Sequence, residues 1–217
     1  MKKVLVMSIP HTGTEFVTEY LGFMDIMPLR FITPATDTTL FNKDHMEFVT
    51  HPSKHVVSHI HIGEHLHLKR EYDIMDYAKE NCKVIIPLRH PLENAISYIG
   101  RHKEIKMLYC ANNWSILLND IISKYEIFWI DINIAKRKRL RMMKGLNHFI
   151  ERNPTNDSNF IRYIKEWKPV NNYEKCDGMK EAYYARGELP KGYDFRCLDA
   201  AIEWYDNKHT ELEKLYE

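Results

Sequence analysis

Two short segments of this chain could bind an anion, because each joins an apolar run to a predicted helix. The first segment consists of Pro10, His11, Thr12, Gly13 and Thr14. Gly13 permits a backbone conformation that other residues resist, and the N–H groups at a helix start bind anions. Thr12 and Thr14 would add hydroxyl donors. The segment lacks the lysine of a Walker A loop, so by itself it is equally compatible with an ordinary turn capped by a threonine.

The second segment carries Arg89, Pro91 and Ser97. Arg89 ends an apolar run, at the strand end where open α/β sheets bind ligands, and a guanidinium can hold a phosphate through two hydrogen bonds. Pro91 is suited to open a helix, and Ser97 follows about two turns into it. A surface salt bridge and a solvated helix position are the alternatives for Arg89 and Ser97 taken singly. The combination of both turns on neighbouring predicted strands is therefore more informative than either turn alone.

A third set of candidates is a group of histidines, since seven of the twelve fall within residues 45–67. On a strand, His55, His59 and His61 would point to the same side. One of them could act as a general base, which contributes roughly 10²–10⁴-fold to a rate. Zinc binding is a second possibility, but no H-E-x-x-H is present and Glu64 is the nearest carboxylate. We therefore expect no metal; histidines that merely hydrogen-bond at a sheet edge are the third interpretation.

These residues are positioned by predicted strands that alternate with predicted helices. The predicted strands are Lys3–Ser8, His55–Ile62, Lys83–Leu88 and Tyr125–Ile132. Four helices are predicted between and after them: one after Gly13, one over Glu71–Asn81, one from Pro91 and one over Ala111–Lys124. Such alternation predicts an α/β fold with three layers, in which helices flank a mostly parallel sheet with right-handed crossovers. The region after residue 133 is predicted to be largely helical. With 217 residues, 44% of them hydrophobic, a single domain spanning 1–217 is expected.

Composition limits the partners of the chain. A net charge of +1 with 28% charged residues argues against nucleic-acid or membrane binding by the whole surface, and no apolar segment approaches the ~20 residues that span a bilayer. The four cysteines are scattered, which favours a reducing cytoplasmic location over a disulfide framework. Residues 136–144 carry six positive charges. This basic run is interpreted as a solvated helix face, with binding of an anionic acceptor or a nucleic-acid backbone as the alternatives.

The two turns resemble those of the sulfotransferases that use 3′-phosphoadenosine-5′-phosphosulfate (PAPS). That family has a strand, P-[KR]-[ST]-G-[TS] and a helix, followed later by a strand and R-x-P-x5-S on a helix. The resemblance implies a P-loop NTPase-like sulfotransferase fold and transfer of a sulfuryl group to a hydroxyl or amine, leaving adenosine 3′,5′-bisphosphate (PAP). It also implies that residues 10–14 hold the 5′-phosphosulfate, while Arg89 and Ser97 hold the 3′-phosphate. Residues 125–131 and 204–212 are similar to a late strand and the closing helix of the family.

The resemblance also bears on catalysis. It implies that a histidine at the end of the second core strand is the base, which favours His59 over His61, with Glu19 of the first helix as a further candidate. The family has Lys or Arg where this chain has His11, so we hypothesise that His11 is protonated when the phosphosulfate is bound, because a nearby anion raises the pKa of an imidazole. Arg186 is a candidate for closing over the 3′-phosphate.

Two other functions fit parts of the pattern. A P-loop-like kinase or nucleotide hydrolase would share the first turn but requires a lysine and an acid that holds Mg²⁺. A non-catalytic nucleotide or glycan binder would keep the binding residues without turnover. The acceptor, a small molecule or a glycan, is not named by any motif. Residues 24–54 and 133–195 are expected to shape its pocket, and the oligomeric state has no sequence signal.

Overall fold

The computed structural model describes most of the chain in several stretches. These are residues 2–29, 47–62, 74–101, 107–152, 162, 166, 174–185, 187 and 195–217. Two residues singled out from the sequence, Glu64 and Arg186, lie outside the described residues, so what was predicted for them stays a prediction.

The centre of the fold is a sheet of five described strands. They are β1 (Lys3–Ser8), β2 (Met27–Pro28), β3 (Val56–His61), β4 (Cys82–Leu88) and β5 (Ile127–Asp131). Their order across the sheet is β2-β3-β1-β4-β5, and every pairing among them is parallel. Strands β1 and β4 are mostly apolar because a parallel sheet is covered on both faces, and β1 is buried along its whole length. The predicted α/β class with a parallel sheet is confirmed.

Helices connect and cover the strands. They are α1 (Thr14–Gly22), α2 (Ile74–Asn81), α3 (Pro91–Arg101), α4 (Met107–Ile116), α5 (Ile132–Ile150), α6 (Glu174–Tyr184) and α7 (Asp199–Leu215). The connection from β1 to β2 runs towards one edge of the sheet, and the connection from β4 to β5 runs towards the other edge. Because both crossovers are right-handed, their helices α1 and α3 lie on opposite faces of the sheet. Helix α5 packs with α1, since the hydroxyl of Tyr20 donates to Asn147 Oδ1 at 3.0 Å. The predicted three-layer arrangement follows.

Some element boundaries differ from those predicted. The fourth predicted strand, Tyr125–Ile132, is shorter, because Asp131 caps α5 by accepting hydrogen bonds from the backbone N–H groups of Asn133 and Ile134 and so begins the helix at Ile132. The helix predicted from Ala111 starts earlier, at Met107, and continues as a π-helix over Leu117–Ile121. Strand β2 lies in a region that the sequence left unassigned.

Lys3 shows how a charged residue is accommodated at the start of a buried strand. Its ammonium donates to the carbonyl oxygens of Phe48 and Val49, at 2.7 and 2.8 Å, and so ties residues 47–50 to β1. Burial lowers the pKa of Lys3, although the charge of Cys82 opposes this. Of the helices in the described part of the chain, none combines the length and apolar composition that a bilayer crossing requires.

Candidate functional site

The two predicted turns lie next to each other at the carboxyl edge of the sheet, because β1 and β4 are paired neighbours. Three contacts join them. The side-chain amide of Asn94 donates to the Pro10 carbonyl at 2.5 Å, and Arg89 Nη1 donates to the His11 carbonyl at 3.4 Å. His11 Nδ1 and Ser97 Oγ are 3.2 Å apart. Residues separated by more than 70 positions in the sequence therefore form one site.

The backbone of the first turn has an unusual shape. Gly13 has φ 101°, a left-handed conformation that glycine adopts readily. A Cβ atom at this position would lie 2.5 Å from Cδ1 of Ile132. His11 is also left-handed, with φ 67°, and this conformation is uncommon for a residue with a side chain. Left-handed residues beside a helix start direct successive N–H groups to a common side, and such concavities bind anions.

The two threonine hydroxyls of the first turn donate inward. Thr12 is fully buried, and its hydroxyl donates to the Ile9 carbonyl at 2.7 Å. The hydroxyl of Thr14 donates to Ser8 Oγ at 2.9 Å. The sequence indicated hydroxyl donors for a ligand, whereas in this structure both groups hold the shape of the turn. The capacity of this turn to bind an anion therefore resides mainly in the backbone N–H groups at the start of α1.

The second turn presents a buried guanidinium. Arg89 is 9% exposed, and its Nε donates to Glu93 Oε2 at 3.3 Å. The other oxygen of Glu93 accepts a hydrogen bond from Lys180 on α6, at 2.7 Å. Burial raises the pKa of Glu93, but the hydrogen bond from Lys180 and the charge of Arg89 outweigh it and leave the pKa below its ordinary value. Glu93 is therefore ionised between two cations.

Sequence reasoning missed Glu93 and the lysines around it. A signal for Glu93 was present, because a carboxylate four residues after Arg89 on a helix is within reach of its guanidinium. Lys180 has no local signal, since it is 87 positions from Glu93. Lys136, at the start of α5, belongs to the same cluster: burial lowers its pKa, the charge of Glu93 raises it, and the charge of Arg89 lowers it again.

His90, between Arg89 and Pro91, is used to hold the second turn. Its Nδ1 accepts from the backbone N–H of Leu92 at 3.2 Å, so its proton lies on Nε2, which donates to the hydroxyl of Tyr184 at 2.8 Å. That hydroxyl in turn donates to the carboxylate of Asp206, at 3.0 Å. Burial, reinforced by the charge of Lys180, lowers the pKa of His90 to about 4. A neutral imidazole thus ties α6 and α7 to the turn.

The candidate bases lie on β3, the other neighbour of β1. His59 is 6% exposed, and its Nε2 lies 2.9 Å from Ser8 Oγ. Ser8 also accepts from Thr14, so His59 is connected to the first turn through the hydroxyl of Ser8. His61 is half-buried at the end of the strand, with its ring centroid 4.4 Å from that of His59. Both histidines therefore border the first turn, whereas Glu19 lies on an exposed position of α1.

The carboxyl end of β5 contributes a polar cluster with a structural role. Asp131 is fully buried; one of its oxygens caps α5, and the other accepts from His209 Nδ1 at 2.8 Å. That hydrogen bond raises the pKa of His209, against the effect of burial. Within the described ranges, no three His, Cys, Asp or Glu side chains are grouped so that they could hold a metal ion.

Comparisons with known proteins give a similarity in structure but none in sequence. No family model matches this chain, and no curated protein sequence matches it. Among solved structures, the chain is similar to the crystal structure of mouse sulfotransferase SULT7A1 complexed with PAP, with 15% sequence identity and a TM-score of 0.49. The similarity covers 76% of this chain and 63% of that one, so the chain spans less than two thirds of the mouse protein.

Proposed function

We propose that this chain is a sulfotransferase that uses PAPS as its donor. In the proposed reaction the bond between the sulfur and the 5′-phosphate oxygen breaks, a bond from sulfur to an acceptor hydroxyl or amine forms, and PAP leaves with the electron pair. The observation that carries the proposal is the direct contact between the two turns through Arg89, His11 and Ser97. It supports one ligand that is held at both ends at the carboxyl edge of neighbouring parallel strands, where α/β sheets bind nucleotides.

In this proposal the first turn holds the 5′-phosphosulfate and the second holds the 3′-phosphate. The N–H groups that follow Gly13 would bind the transferring end, and Arg89 with Ser97 would bind the distal phosphate. His11 lies between the two groups, because its backbone accepts from Arg89 and its ring contacts Ser97. A bound anion favours the imidazolium form, so His11 would supply the positive charge for the leaving phosphate.

The acceptor proton requires a base, and exposure favours His61 over His59 for direct contact. A base must reach the hydroxyl that it deprotonates; His61 is half-buried at the strand end, whereas His59 is buried and engaged with Ser8. We therefore assign the proton to His61 and a positioning role to His59. His61→Asn is expected to lower kcat by roughly 10²–10⁴-fold with unchanged PAP binding. A loss of that size in His59→Asn alone, measured by PAP release, would reverse the assignment.

The binding step is tested by calorimetry with PAP and, separately, with ATP and Mg²⁺. The parent is expected to prefer PAP. Arg89→Ala is expected to weaken PAP binding at least ten-fold, since a hydrogen bond to a charged group contributes about 1.5–3 kcal/mol. Lys79→Ala is the matched control, because Lys79 is an exposed cation paired with Asp76 on α2, and it should bind PAP as the parent does.

Three results would contradict parts of the proposal. Preference for ATP with Mg²⁺ would favour a kinase or hydrolase. Equal PAP affinity in the parent and in Arg89→Ala would remove Arg89 from the site. Tight PAP binding without PAP release from PAPS, over acceptors that include phenols, alcohols, amines and glycans, would favour a non-catalytic nucleotide binder.

A further inference from the structure

Two cations from distant parts of the chain converge on one buried carboxylate beside the candidate nucleotide site. Arg89 Nε donates to Glu93 Oε2 at 3.3 Å, and Lys180 Nζ donates to Glu93 Oε1 at 2.7 Å. The side chains of Arg89 and Glu93 are each 11% exposed, and that of Lys180 is 26% exposed. The pair of cations is therefore partly shielded from water, and their charges are screened less than those of a surface pair.

The charge balance of this cluster favours an additional anion. Two cations, Arg89 and Lys180, bind the single carboxylate of Glu93, and the charge of Lys136 interacts with those of all three groups. Two further carboxylates in this region have hydrogen-bond donors of their own. Asp131 accepts from His209 and from the first turn of α5, and Asp206 accepts from Tyr184. The contact at Glu93 itself joins two positive charges to one negative charge at a partly buried point, and such an excess attracts anions.

Lys180 is held in place by the helix that carries it. Tyr184 lies one helical turn further along α6 and is hydrogen-bonded to both His90 and Asp206. His90 directly follows Arg89, so α6 is attached to the second turn at two points. Because these contacts fix the backbone that carries it, Lys180 loses less conformational freedom on binding a ligand than a lysine without such contacts would lose.

We propose that Lys180 is a further anion-binding residue of the nucleotide site and that it contacts the distal phosphate together with Arg89. This inference rests on the proposed function. A guanidinium carries five N–H donors and an ammonium carries three, so each of the two cations can donate to a phosphate oxygen as well as to Glu93. Glu93 is the internal anion that keeps both cations in position before the ligand arrives.

The inference is tested by the preference for PAP over adenosine 5′-monophosphate, which lacks the 3′-phosphate. Calorimetry on the parent is expected to show that PAP binds more tightly. Lys180→Gln and Arg89→Gln should each reduce this preference by about ten-fold or more with the monophosphate affinity unchanged. Lys180→Arg keeps the charge and should retain most of the preference. Lys79→Gln removes an ion-paired helix lysine elsewhere and should change neither affinity.

The results separate this inference from the proposed function. If Lys180→Gln keeps the full preference while Arg89→Gln loses it, Lys180 is not a ligand contact and the proposed function stands. An equal loss for both nucleotides in Lys180→Gln, with a lower melting temperature, would assign Lys180 a purely structural role and overturn the inference. If the parent binds neither nucleotide, the proposed function fails, and this inference fails with it.

Discussion

The turn after β1 and the turn after β4 occupy the same edge of the sheet, but they are built differently. The first is closed by its own neighbours, since Thr12 donates to Ile9 and Thr14 donates to Ser8. The second is held from a distance, by Lys180 and Tyr184 of α6. A backbone site depends on shape, whereas a site made of charged side chains depends on what surrounds the charges. Anion binding by the first turn should therefore be lost when the shape of its backbone changes. Binding by the second turn should be lost when the hydrogen bonds or the protonation of the surrounding side chains change.

The largest effect is expected for Gly13→Ala in the first turn. A Cβ there would lie 2.5 Å from Ile132 Cδ1 on a backbone with φ 101°, and a non-glycine residue in a sparsely populated conformation is strained by about 1–3 kcal/mol. We expect a lower free energy of unfolding in urea and a loss of PAP binding.

Gly22→Ala is the matched control for this change. Gly22 ends the same helix, and nothing lies within 4 Å of a Cβ built there, so alanine should be neutral or stabilise the protein by roughly 0.5–1 kcal/mol. Equal unfolding midpoints for the two variants would show that the shape of the first turn does not depend on Gly13.

An effect of comparable size is expected where the two turns are joined. Asn94 is 1% exposed; it donates to Pro10 at 2.5 Å and accepts from Trp114 Nε1 at 3.3 Å. Asn94→Ala leaves both partners unpaired, at about 1–3 kcal/mol for each buried group, and should weaken PAP binding as well as stability. As a control, Asn119→Ala removes an exposed asparagine that is hydrogen-bonded to Ser115, and it should leave the urea midpoint unchanged. A midpoint shift as large as that of Asn94→Ala would argue against a special role for the hydrogen bonds of Asn94.

The smallest expected effect is a pH dependence of the second turn. The pKa of His90 is lowered from 6.5 to about 4, so below pH 6.5 the unfolded chain binds a proton that the folded protein excludes. The stabilising contribution is complete above pH 6.5 and is lost as the pH falls towards 4. The difference in free energy of unfolding between the parent and His90→Gln should therefore shrink over this interval, by roughly 1 kcal/mol per pH unit.

His209 provides a comparison of opposite sign. Its hydrogen bond to Asp131 raises its pKa above 6.5, so its stabilising contribution is complete below pH 6.5 and is lost as the pH rises through the raised pKa. The stability difference between the parent and His209→Gln should shrink in that direction. If both variants changed with pH in the same direction, the different environments assigned to the two histidines would be wrong.

Local signals in the sequence were sufficient to predict the alternation of strands and helices and the location of both turns. Apolar runs predicted β1 and β4, because buried parallel strands need no polar face, whereas alternation of residue types predicted β3. Gly13 and Pro91 marked the starts of α1 and α3 through local conformational preferences. Such signals act within a few residues, and a single chain shows them directly.

The tertiary structure alone decided which side chains meet. It placed β1 between β3 and β4, directed the hydroxyls of Thr12 and Thr14 inward, and brought Lys180 to Glu93. None of these outcomes follows from local periodicity, since each depends on how distant elements pack and on which hydrogen-bond partner is nearest after packing. The charges around Arg89 are therefore a property of the folded chain, assembled from α3, α5 and α6.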